Sequence, residues 1–167
     1  AGRGDEDRAK SMVLAAKNLY EISKKAEAFQ LLKDEIDSMS DPKAKSRLLI
    51  GLAELYKEEK DNFSRALALQ RALSFQPVSK DLLFDTAYAC SESDFNELAM
   101  LYYEKIIEID RRHNSALNNL GVAFANLKIP SLAVKNYKRA IDAGETLSAS
   151  NLANILIDVG AIADEEK

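Results

Sequence analysis

Two groups of side chains in this chain of 167 residues are suited to chemistry of recognition. The first is a set of amides: Asn118, Asn119, Asn126, Asn151 and Asn154. Asparagine is a poor helix-interior residue, because its carboxamide competes for backbone hydrogen bonds. So many in two stretches that otherwise read as helix need a reason. A carboxamide offers donor and acceptor together, which suits the backbone of an extended peptide. The same groups could instead be solvated, or bond from one repeat to the next. The second group is Asp81, Phe84, Asp85 and Tyr88, one helical stretch that would supply apolar contact and select basic side chains.

Reaction chemistry has no comparable footing. There is one His and one Cys. His113 lies beside Arg111 and Arg112 at a helix end, where cations complement the helix dipole. Cys90 reads as a small buried helix residue and can form no intrachain disulfide. A lone His and a lone Cys make no metal site, and no Gly-rich phosphate loop occurs. Without clustered titratable groups there is no matched acid and base. The expectation is no enzyme, no cofactor and no metal. Arg3-Gly4-Asp5 has the pattern of an integrin-binding tripeptide and Asn62-Phe63-Ser64 that of a glycosylation sequon; both mean something only outside the cytoplasm. No apolar run reaches membrane-span length and no signal peptide is visible, so a cytoplasmic protein with no membrane partner is expected. The net charge is −4, and it is uneven: residues 1–80 carry 15 Lys/Arg against 13 Asp/Glu, residues 81–167 carry 8 against 14. The acidic second half argues against nucleic acid and mildly favours a basic or neutral partner.

The elements that must position these groups are helices. Gly and Pro number 6 and 3, Trp is absent, and 47% of residues are hydrophobic. Small residues return at near-constant intervals: Ala53, Ala87, Gly121 and Ala153, then Ala99 and Ala133, each of the latter followed seven residues on by Ile106 or Ala140. Small side chains at such intervals let paired helices approach closely down a stack. The pattern predicts a flexible segment at 1–8, helix pairs at about 9–42, 43–79, 80–113 and 114–146, a half unit at 147–160 and a tail at 161–167. Expected inward residues on the last helix are Leu152, Ala153 and Leu156. Caps are expected at Asp61 or Asn62, within Ser91–Asp94, and at Asn114 or Ser115. Pro130 fits a first helical turn and Gly144 a left-handed helix end. Helix nine is apolar all round, so its surface needs covering, by more of a longer array or by self-association.

These residues resemble the tetratricopeptide repeat family. The best stretch, Asn114–Glu145, carries Leu120-Gly121, Phe124, Ala133, Tyr137 and Ala140. Residues 80–113 match through Ala87, Ala99 and Tyr103, and residues 46–79 through Ala53, Tyr56, Ala72 and Pro77. There Ala66 and Ala72 stand one residue too close, which predicts a register shift or a longer turn. In the first pair, Ala16 lies 37 residues before Ala53, and Glu35 stands where a small residue belongs.

The resemblance implies an all-α, right-handed α-solenoid of antiparallel helix pairs whose first helices line a concave groove. Projection puts Arg47, Ile50 and Glu54, then Asp81, Phe84, Asp85 and Tyr88, then Asn118, Asn119, Val122 and Asn126, and finally Ser150, Asn151, Asn154 and Asp158 on that face. The amides are similar to the asparagine ladder of the tetratricopeptide domain of the O-linked N-acetylglucosamine transferase. The family's chaperone-adaptor members clamp a C-terminal carboxylate with Lys, Asn and Arg; here the corresponding places hold Val13, Gly51, Asp81 and Asp85, and two carboxylates would repel a third. The expected function is non-enzymatic binding of an extended peptide or partner helix. The alternatives are self-association through the terminal helices, a spacer, or the regulatory arm of an enzyme whose catalytic domain lies elsewhere.

Overall fold

The structure is a computed structural model that describes residues 2–165, with side chains for residues 4–160. Its helices are α1 (Gly2–Glu21), α2 (Lys25–Ser38), α3 (Pro42–Glu58), α4 (Asn62–Phe75), α5 (Lys80–Ser91), α6 (Asn96–Ile109), α7 (Asn114–Asn126), α8 (Pro130–Asp142) and α9 (Leu147–Glu165). The described residues contain no strand. They form two compact units, Ala1–Ala89 and Cys90–Lys167. In the first, α1 packs on α2 and α3, and α3 on α4; in the second, α7 packs on α6, α8 and α9. This is an all-α fold of stacked helix pairs.

One turn repeats through the chain. Ser23, Lys60, Asp94 and Lys128 all take positive φ, between 57° and 67°. The next residue's N–H reaches back to a helix carbonyl each time: Lys24 to Leu19, Asp61 to Tyr56, Phe95 to Cys90 and Ile129 to Phe124, all at 2.9 Å. That is the six-to-one bond that closes a helix end through a left-handed residue. From Lys60 to Asp94 and from Asp94 to Lys128 the spacing is 34, but from Ser23 to Lys60 it is 37. The excess lies at the start of α3: Pro42 precedes Lys60 by 18 residues, whereas Lys80 precedes Asp94 by 14. Asp41 caps the extra turn through the Ala44 N–H at 2.8 Å, with Pro42 in its first turn.

This frame corrects the reading of the 43–79 unit. No register shift occurs. The residue five places after each left-handed turn is Ala28, Arg65, Ala99 and Ala133, so Arg65, not Ala66, stands at the small position. Ala16, Ala53, Ala87, Ala99, Ala133 and Ala140 are buried as expected. Gly121 is needed for closeness: a Cβ there would meet the Tyr137 ring at 2.5 Å. Gly51 does the same for α1, since a Cβ would meet Val13 at 2.7 Å.

Four expectations fail. Residues 2–8 are not a free lead-in, since α1 begins at Gly2; Ala1 lies outside the described residues. Asp5 accepts hydrogen bonds from the Ser40 hydroxyl at 2.9 Å and the Asp41 N–H at 3.2 Å, and Glu6 pairs with Arg47 at 3.2 Å. Those polar contacts order a segment whose composition reads as loose. Helix α9 runs past Gly160 to Glu165, while Glu166 and Lys167 of the expected tail lie outside the described residues. Its buried face is also rotated: Ser148 is buried and Asn151, Leu152 and Ile155 half-buried, whereas Ala153 and Leu156 are exposed. A helix packed from one side only needs one stripe covered, and the polar Ser148 and Asn151 take it through bonds to α7. Finally, α7 is capped by His113, whose Nδ1 accepts from the Ala116 N–H at 3.2 Å, and α6 has no side-chain cap.

Candidate recognition surfaces

In the second unit the amides form a chain of bonds. The Asn119 amide donates to the Tyr103 hydroxyl on α6 at 3.2 Å. Asn118 donates to the Asn119 carbonyl at 3.1 Å. The Asn118 carbonyl accepts from the Ser148 hydroxyl at 2.8 Å and from the Asn151 amide at 3.0 Å, both on α9. Asn118 is 9% exposed, so its carboxamide is spent inside the protein. Tyr103 is fully buried, and the bond from Asn119 gives its hydroxyl oxygen a donor. The chain ties α6, α7 and α9 together from repeat to repeat. Asn126 donates to the Asn96 carbonyl at 3.0 Å at the exposed end of α7. Asn154 is exposed, and no hydrogen bond to its side chain occurs among the described residues.

In the first unit, α5 presents Asp81, Asp85 and Tyr88 outward, with Phe84 half-buried. Burial pushes the Asp85 carboxyl above its ordinary range; Arg65 and Lys57 pull it back, and Asp81 adds to the rise. Those cations are supplied by α4 and α3, out of sight of any reading of α5 alone. The Arg65 guanidinium sits over the Tyr88 ring, 5.8 Å from its centroid. The Asp81–Asp85 pair is therefore a weaker magnet for basic side chains than its own helix suggests. Arg47 and Glu54, also projected onto this face, are engaged by α1: Arg47 by Glu6 and Glu54 by Lys17 at 2.6 Å. A mixed-charge cleft of about 630 Å³ opens beside them, lined by Lys17, Tyr20, Glu21, Lys57 and Glu58.

Cys90 is buried, and burial pushes its thiol up to about 11. A thiol held that high stays protonated near neutral pH and is a poor nucleophile. Among the described residues no group of three or more His, Cys, Asp and Glu is placed to hold a metal ion. No described helix is long and apolar enough to cross a membrane.

No family profile matches the sequence, and no curated protein matches it. Solved structures do. YrrB, described as a TPR protein with an unusual peptide-binding site, is similar with a TM-score of 0.70 at 18% identity, over 87% of this chain and 74% of that one. MamA from Desulfovibrio magneticus RS-1 gives 0.75 at 14% identity, over 92% and 86%. The first TPR of Spaghetti (RPAP3), bound to the HSP90 peptide SRMEEVD, gives 0.63 at 15% identity, over 73% and 97%. The chain has the tetratricopeptide-repeat fold. At these identities the likeness speaks for the fold, and function has to come from the surfaces.

Within that fold, sequence reasoning missed the partners of its own candidates. Tyr103 and Ser148 make two of the four bonds of the amide chain; Tyr103 enters the sequence reading only as a repeat match, and Ser148 does not enter it. Arg65 was overlooked although a 34-residue step back from Ala99, itself 34 residues before Ala133, lands on it.

Proposed function

We propose that this chain is a non-enzymatic protein–protein interaction module, and that its second unit holds an extended peptide or partner helix on the open faces of α7 and α9. One observation carries the reading. A run of amides and small polar groups, Asn126, Ser150 and Asn154, is exposed on those helices beside the half-buried Asn119 and Asn151. Asn118 braces it from below by fixing Asn151. The carboxamides so fixed, Asn119, Asn126 and Asn151, lose little entropy when they bind backbone N–H and C=O groups. YrrB, described as having an unusual peptide-binding site, and the RPAP3 domain bound to the HSP90 peptide SRMEEVD fit the same use of the fold. Asn118 takes a bracing role here, not a contact role.

The test starts from a displayed library of random peptides selected on the whole chain. The best peptide is synthesised and titrated calorimetrically. Asn151→Ala combined with Asn154→Ala should weaken it by about tenfold or more, two hydrogen bonds at about 1 kcal/mol each. N-methylation of the peptide backbone should do likewise. Unchanged affinity in both cases removes this reading.

Self-association is the second reading, favoured by α9 itself. Leu147 is 68% exposed and Ile157 67%, with Leu156 and Val159 also open. Light scattering across a concentration series would show a mass above the monomer, reduced by Ile157→Glu. A constant monomer mass ends it.

A further inference from the structure

Helix α9 leaves open a face that its sister helices bury. On α3 that face is Leu49, Leu52, Ala53 and Tyr56; on α7 it is Leu117, Leu120, Gly121 and Phe124. All are buried except Tyr56, which is half-buried. The equivalent residues of α9 are Ala149, Leu152, Ala153 and Leu156. Ala149 and Ala153 are exposed, Leu152 is half-buried, and Leu156 is 52% exposed.

What closes the face elsewhere is the second helix of the pair. α4 packs on α3 and α8 on α7. Each brings a large buried residue to the small one: Tyr137 lies against Gly121, and Leu69 borders one recess with Ala53. On α8 the small Ala133 and Ala140 flank that residue. Among the described residues α9 packs only on α7 and α8. Gly160 stands seven places after Ala153, as Lys128 does after Gly121, but it lacks the left-handed φ. The helix runs on to Glu165 and does not fold back over its own open face. Ile141 of α8 widens the opening. Its counterparts Ile36 and Ile107 are buried and half-buried, and each lines a recess against the next second helix.

Charge narrows the choice of occupant. In those two recesses an acid on one second helix shares the lining with an arginine on the next, Asp37 with Arg71 and Glu108 with Arg139. Asp142 is the equivalent acid on α8. It is exposed and in no ion pair among the described residues, with Arg111, Arg112 and Arg139 bordering it on one side. α9 carries Asp158, Asp164 and Glu165 and neither Lys nor Arg. Two α9 helices laid together would set like charges side by side, which works against a second copy.

We propose that the open face of α9, with Ile141 beside it, seats an amphipathic helix of a partner protein, placed as α4 and α8 are in their own pairs. The docked helix sets a Leu against Ala153, since Ala153 leaves less room than Gly121. A small residue stands four places before that Leu and another three after, so that the backbones approach closely. An Arg or Lys two places after it faces Asp142. The inference rests on the interaction-module reading in taking the helix from another protein. It uses a different flank of α9 from Asn151 and Asn154, so it and the amide surface can fail separately.

The probe is a peptide of residues 129–143 of this chain carrying Tyr137→Leu. A short isolated helix is marginal in water, so a lactam between the Lys138 and Asp142 side chains holds it, checked by circular dichroism. Titrated into the whole chain and followed by NMR, it should give saturable backbone shifts at Ala149, Ala153 and Ile157, with a dissociation constant of about 100 μM or tighter. Ala153→Arg in the protein should weaken it by about tenfold or more; Ala149→Arg, also at an exposed site, serves if that variant fails to fold. Arg139→Glu in the peptide should weaken it by about twofold or more, and Asn154→Ala in the protein should change nothing. Light scattering completes the test. Shifts confined to α7, binding indifferent to Ala153→Arg, no saturable shift, or a dimer of the chain that Ala153→Arg dissolves and the peptide leaves intact would overturn the proposal.

Discussion

Asp61 shows how a single side chain serves the repeat. It follows the left-handed Lys60, and its carboxylate accepts the Ser64 N–H at 3.0 Å, capping α4. The bonds from Ser64 hold the Asp61 carboxyl below its ordinary range. The sign follows directly. A carboxyl lowered in the folded state stabilises the fold above its unfolded value near 4 and loses that contribution as pH falls through the folded value. Asp61→Ala should cost about 1 kcal/mol at neutral pH, the usual worth of a helix cap. The gap to the parent should narrow as pH falls from neutral through the carboxylate range, as denaturant melts at several pH values would show. A gap independent of pH would mean that the cap bond is not the source. Asp5, held low by Ser40 and Asp41, and Glu59, held low by Lys25 and Tyr20, carry the same sign in the same unit.

Elements in this chain are set by small residues and by how they are answered across the pair. Gly121 on α7 lies against the flank of Tyr137 on α8, a ring that is itself buried. Gly121→Ala gains helix propensity but drives a methyl into a ring with nowhere to go, and overpacking of this kind costs about 1–3 kcal/mol. Thermal melts should show a lower midpoint; a higher one would mean that α7 and α8 can separate without penalty. The helix pairs were legible in the sequence because such contacts demand small side chains at a fixed interval, and Ala53, Ala87 and Gly121 report that interval. The ends were not. Composition at residues 1–8 says nothing of Ser40 or Arg47, which order it from 30 or more positions away. The rotated face of α9 escaped for a related reason: periodicity counts apolar residues, and the stripe that packs on α7 is anchored by Ser148 and Asn151. The amides were rightly singled out as unusual. Which are spent internally is a matter of neighbours, and only packing decides it.

At the scale of the whole molecule, charge is spread unevenly along the sequence. Residues 1–80 are nearly balanced and residues 81–167 are acidic, with 14 Asp/Glu against 8 Lys/Arg. In the first unit several cations and carboxylates are consumed in pairs, such as Lys17 with Glu54 and Lys25 with Glu59 at 2.6 Å. Association driven by the net charge of the second half should therefore weaken with salt. Binding of any selected peptide measured at low and high salt tests this; an affinity independent of salt would mean that net charge does not drive it.

The identical left-handed joints at Asp94 and Lys128 have an evolutionary corollary. They are 34 residues apart and close the preceding helix through the same bond, donated by the Phe95 N–H in one case and the Ile129 N–H in the other. Excising residues 95–128 splices one joint onto its twin and leaves no novel junction to be accommodated. Such a shortened protein should still fold to a helical state with a cooperative melt. Unequal crossing-over could thus change the length of this lineage by whole periods, with the spliced joint as the hidden seam.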